Sequence, residues 1–144
     1  MSPLQEKGEE VRRAVARRRS GYTHDVEIRG HSLVSDETED KGGEDRGPKS
    51  TELLAAALAS CTAITVEMYA ERKGWDLGDL EVAAEFMPKP RGECDHFDVT
   101  MKLPGGLTEE QTQRIKAIAA KCPVHRTLTA EARVTITDRV EVAD

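Results

Sequence analysis

Cys61 and Cys122 are the two residues whose type and setting could do chemistry, because each falls on the apolar face of a helical pattern. Two thiols brought together can reduce a peroxide. One thiolate attacks the O–O bond and becomes a sulfenic acid, and the second thiol condenses with it to a disulfide. The attacking cysteine must ionise, so its pKa must fall below the free value of about 8.5. A nearby guanidinium would do this by favouring the charged form. The plainer reading makes both cysteines small core residues, since free cysteine is among the most buried types.

Other residues offer weaker chemistry. Cys94-Asp95-His96 and Cys122-Pro123-Val124-His125 spell C-x-H and C-x-x-H, and four such ligands could hold zinc tetrahedrally, although the spacing fits no common zinc motif. His125 can equally be a solvated residue just beyond a helix. Glu52 falls in the first turn of a helical pattern, where a carboxylate favours the positive end of the helix dipole. Arg17, Arg18 and Arg19 form either a solvated face or the source of a functional arginine.

The elements that must position these residues follow from periodicity. Gly47 to Arg72 is the central stretch. Gly47-Pro48 makes a turn, Ser50 or Thr51 offers a cap, and Leu53, Ala57, Cys61, Ile64 and Met68 recur along one helical face. Leu54, Leu58 and Thr65 widen that face, which predicts a buried helix, and Gly74 can end it. A second helix is predicted after Thr108, which with Gln111 forms a capping-box pattern. Ile115, Ile118, Ala119 and Cys122 share its face, and Pro123 ends or bends it. Residues 1–10 are expected to be a loose tail. Strands are expected over Val11–Arg19, Thr23–Arg29 and His31–Asp36, then around Val82 and around Val99, with a last pattern at Val134, Ile136, Val140 and Val142. Thr38–Pro48 is an acidic, glycine-rich loop. This order predicts one α+β domain with a mainly antiparallel sheet and two central helices.

Composition excludes several functions. The chain has a net charge of −6 and only 3% aromatic residues. That disfavours nucleic acid and acidic membranes as partners and leaves no stacking platform for bases. No apolar run is expected to reach bilayer length, and the charged N-terminus has no signal core, so a cytoplasmic location is expected.

GPKSTELLAAALASC, the YAERKGW that ends the same helix, and CPVHRTL together resemble the OsmC-like family, which includes osmotically inducible protein C and the organic hydroperoxide resistance proteins. The resemblance runs from about His31 to the C-terminus. It implies an intertwined homodimer with the long helices packed centrally, and thiol-dependent reduction of organic hydroperoxides at the subunit interface. No cofactor is called for; the partners are the hydroperoxide and an external dithiol reductant. Carried over, Cys61 is the peroxidatic cysteine and Cys122 the resolving one. The activating arginine comes from the N-terminal strands, where Arg17, Arg18, Arg19 and Arg29 are candidates and Arg19 is preferred. In the peroxidase branches a glutamate follows a proline where this chain has Thr51 after Ser50. Glu52 is adjacent and turned about 100° around the helix axis. A rival reading of the same fold is a binding protein that holds a small apolar ligand and uses its cysteines for packing.

Overall fold

A computed structural model describes residues 11–143. The expected tail over residues 1–10 lies outside them. The chain divides between Leu53 and Leu54 into two compact units.

The first unit is an antiparallel meander of β1 (Ala14–Ser20), β2 (Thr23–Ile28) and β3 (His31–Ser35). The expected hairpin pairs Ala14 with Ile28 and Arg17 with Asp25, and the register shifts between Arg18 and Ser20. The next turn needs only Arg29 and Gly30, because Ile28 pairs with His31. Both turn residues have positive φ, 48° and 81°. That backbone matches the right-handed twist of the strands it joins.

The loop over Thr38–Pro48 has a short 3-10 turn at Glu39–Lys41 and a buried anchor, Asp36. Its carboxylate accepts from the Thr23 hydroxyl at 2.7 Å and from the backbone N–H groups of Glu37 and Arg46 at 2.7 and 3.2 Å. These donors hold its carboxyl below the usual range, against the opposing effect of desolvation.

Helix α1 (Ser50–Lys73) opens with a different cap from the one expected. Ser50 and Thr51 are already helical, and the Glu52 carboxylate reaches back to the Lys49 N–H at 2.7 Å. The helix ends as Gly74 predicted. Gly74 takes φ +73°, its N–H reaches the Glu71 carbonyl, and the Trp75 N–H reaches that of Ala70.

In the second unit α1 packs with β4 (Glu81–Glu85), β5 (Asp98–Lys102), α2 (Glu109–Ala119) and α3 (Pro123–Leu128). Val66, Ala70, Leu77, Ile115 and Ala119 form the core, with Trp75, Leu80, Met101 and Leu103 against it. The two strands pair antiparallel, Val82 with Met101 and Ala84 with Val99. The capping box of α2 is present, Thr108 accepting from the Gln111 N–H and Gln111 from the Thr108 N–H.

Four expectations need correction. The buried line of α1 is Ala55, Leu58, Thr62, Val66 and Ala70, not the line through Cys61. Ile64 and Met68 are 50% and 57% exposed. The helix is apolar nearly all round, so its pattern could not choose a face. For the same reason α1 is long and apolar enough to cross a membrane by length and composition, contrary to the reading of the sequence, and only 28% of its apolar window is buried. Pro123 does not end α2, which stops at Ala119, but begins α3; its fixed φ and missing N–H suit a first helical position. Among the described residues the last strand is absent: residues 133–143 pair with no described strand, and Ile136, Val140 and Val142 are 81%, 90% and 88% exposed. Alternation says which side of a strand is apolar, but a strand also needs an edge to pair with.

Candidate functional site

Cys61 sits mid-way along α1 and is partly buried, whereas Cys122, just before α3, is fully buried. The fold makes the Cys122 thiol a neighbour that acts on the Cys61 thiol. Burial pushes the Cys61 thiol up from its ordinary value, and the Cys122 thiol beside it adds to the rise. The Val124 N–H and the Thr65 hydroxyl act against them by hydrogen bonding to the sulfur. All three cysteines are free thiols. A dithiol in this arrangement can close to a disulfide once one sulfur is oxidised.

The sequence reading used Thr65 only to widen the apolar face of the helix and Val124 only as a spacer between Cys122 and His125. Thr65 was legible, since residues four apart on a helix are neighbours. The Val124 N–H was not, because it became available only when Pro123 opened a new helix. His125 is not a solvated residue beyond a helix: it lies within α3, half-buried, and its Nδ1 is buried.

Arg19 and Glu52 have partners in the first unit. Arg19 Nε donates to Asp25 Oδ2 at 3.2 Å and its Nη2 donates to Oδ1, which holds the Asp25 carboxyl below the usual range. Arg17 pairs with Glu27 at 2.9 Å. Arg17 and Arg19 thus each meet a carboxylate of β2. Arg18 instead donates to the Gly21 carbonyl at 3.0 Å, and Arg29 lies in the second turn. Glu52 does what a first-turn carboxylate does, accepting the Lys49 N–H.

The zinc reading is not supported. Among the described residues no three His, Cys, Asp or Glu side chains converge to hold a metal ion. Cys94, His96 and His125 line a common cavity without converging, and the His96 ring nitrogen pairs with Asp98 at 2.9 Å.

Solved structures share this architecture. A putative osmotic stress induced and detoxification response protein from Psychrobacter arcticus is 15% identical over 83% of this chain and 89% of its own, with a TM-score of 0.76. An OsmC-like protein from Mycoplasma pneumoniae is 13% identical over 88% and 93%, with a TM-score of 0.74. An organic hydroperoxide resistance protein from Legionella pneumophila, described as a predicted redox protein, is 20% identical over 83% and 89%, with a TM-score of 0.58. No curated protein matches. The family profile described as OsmC-like protein matches residues 42–137, which take in Cys61 on α1 and Cys122 just before α3. On that match, and on the fold it shares with these structures, the chain belongs to the OsmC-like protein family.

Proposed function

We propose that this protein is a cytoplasmic thiol peroxidase that reduces organic hydroperoxides through Cys61 and Cys122. The observation that carries the reading is the meeting of those two thiols. The Cys61 thiolate attacks the O–O bond of the hydroperoxide. That bond breaks, the alkoxide leaves and takes a proton to become the alcohol, and Cys61 becomes a sulfenic acid. The Cys122 thiol then condenses with it, forming the disulfide and releasing water. An external dithiol restores both thiols by exchange and is itself oxidised to a disulfide. The Legionella relative, named an organic hydroperoxide resistance protein, supports this reaction class.

Burial alone keeps Cys61 protonated. The reaction therefore needs a cation, and Arg19 is the candidate, with Glu52 the acid nearest the position the family uses. A homodimer accompanies the proposal, since α1 leaves Ile64 and Met68 uncovered. The raised Cys61 pKa favours the second reading, a small-ligand-binding protein with packing cysteines.

Cumene hydroperoxide consumption with dithiothreitol tests the choice. Cys61→Ser should abolish turnover, because a serine hydroxyl is not ionised near neutrality. Cys122→Ser should react once and stop at a sulfenic acid that dimedone traps on Cys61. Wild-type protein should gain an internal disulfide with one equivalent of peroxide. An unreactive Cys61 in folded wild type ends the peroxidase reading.

A further inference from the structure

The open end of the β1–β2 hairpin borders a cavity of about 620 Å³. Arg12, Arg13, Arg17 and Arg29 line it, against one carboxylate, Glu27. In a chain of net charge −6 this is a local reversal of sign. Glu27 is already paired with Arg17 at 2.9 Å, and Arg12 is engaged as well. Among the described residues, Arg13 and Arg29 have no carboxylate partner. They adjoin the last cross-strand pair, Ala14 with Ile28, so they stand at the same end of the hairpin and meet the same cavity. Like charges set across two strands repel, and an anion between them would turn that repulsion into attraction.

We propose that this cavity binds a small phosphate monoester with a short aliphatic body, its phosphate held by Arg13 and Arg29. Two uncompensated guanidinium groups match a dianion. A phosphate monoester carries about −1.5 to −2 near neutrality, whereas a carboxylate carries a single charge. The guanidinium group is a planar fork of donors that fits phosphate oxygens two at a time. Val11, Val15 and Ile28 line the same cavity and suit an aliphatic body. Among the described residues no aromatic side chain lines it, so a nucleobase would find no face to stack on. The volume lies within the usual range of small-molecule sites, about 300–1,000 Å³. The ester can be free in solution or the headgroup of a lipid, and the chemistry at the arginines is the same. The inference does not rest on the redox chemistry, because the thiols lie in the other unit.

The probes are butyl phosphate, pentanoate, which has a similar chain and a single charge, and phosphatidylcholine vesicles with and without phosphatidic acid. Binding of the two soluble probes is followed by the Nε–H resonances of Arg13 and Arg29 and by the methyl resonances of Val11, Val15 and Ile28. Butyl phosphate should saturate these shifts with about tenfold or more the affinity of pentanoate. Arg13 and Arg29 are both exposed, so Arg13→Gln and Arg29→Gln should keep the native circular dichroism. Each should weaken butyl phosphate by about tenfold or more. Arg18→Gln removes the same charge from another part of the hairpin, where Arg18 donates to the Gly21 carbonyl, and should hardly change the affinity. No saturable shift, equal affinities for butyl phosphate and pentanoate, or a loss in Arg18→Gln as large as in Arg13→Gln would each overturn the proposal. With butyl phosphate bound as expected, flotation that needs phosphatidic acid and is lost in Arg13→Gln assigns the site to a lipid headgroup. Vesicles left unbound assign it to a free ester.

Discussion

The Cys61 thiol has the Cys122 thiol as a neighbour, and burial together with that neighbour raises its pKa. A raised pKa means a small thiolate fraction at neutral pH, growing about tenfold per pH unit until the pKa is reached. If Arg19 is the activating cation, wild type and Arg19→Ala must differ. The variant should show the value that burial sets, with iodoacetamide modification of Cys61 inflecting above about 8.5, the free-thiol value. Wild type should inflect lower and react faster at pH 7. Superimposable profiles would remove Arg19 from the mechanism and favour packing cysteines.

Asp36 should give the first unit an acid-sensitive anchor. Its pKa is lowered, chiefly by the Thr23 hydroxyl, so its contribution is fully present above the unfolded carboxyl value of about 3.9. It is lost as pH falls through the lower folded value. Urea midpoints of wild type and Asp36→Asn should therefore differ at pH 7 and converge as the pH falls through that lower folded value. A gap that persists unchanged in acid would show that the charge of Asp36 is not what holds the loop.

Two glycines should respond oppositely to alanine. A Cβ at Gly47 would lie 2.2 Å from the Val34 carbonyl oxygen, a backbone atom that cannot swing aside. A Cβ at Gly105 would meet nothing within 4 Å, and its φ is not in the left-handed region. Gly47→Ala should therefore lower the melting temperature by several degrees. Gly105→Ala should leave it unchanged or raise stability by about 0.4–1 kcal/mol through the unfolded chain. Thermal unfolding followed by circular dichroism measures both, and a neutral Gly47→Ala would mean that the loop yields easily.

Local signals made most of this fold legible. Thr108 and Gln111 marked the start of α2, and the alternation at Val82, Ala84, Val99 and Met101 marked β4 and β5. Spacing could nominate the two thiols, and only the family resemblance paired them. Cys122 was assigned to the face of α2, when Pro123 in fact starts a helix whose Val124 N–H meets Cys61. The buried face of α1 was illegible because apolar residues surround it, so packing partners far along the chain choose the face. The C-terminal alternation was visible, but it specified a strand without supplying an edge. His125 had two environments open to it in the sequence, and only tertiary packing buried its Nδ1.

The uncovered apolar residues lead to the last prediction. Ile64 and Met68 on α1 are half-exposed, and Ile136, Val140 and Val142 are more than 80% exposed. Exposed apolar surface on this scale marks an interaction site or an aggregation hazard. A second copy is the occupant the family resemblance implies, and it would cover the same helix that passes the membrane test. Light scattering at micromolar concentration should give about twice the chain mass of 15.9 kDa. Because Ile64 and Met68 are already half in water, Ile64→Glu with Met68→Glu should cost the single chain little. The pair of charges would, however, be buried unpaired in the dimer, at a cost of several kcal/mol. The double variant should therefore run as a folded monomer with unchanged circular dichroism. A wild-type monomer would sink the dimer, and so would a double variant that keeps its doubled mass. Wild-type protein that floats with lipid vesicles while the double variant does not would instead assign the apolar face of α1 to a bilayer.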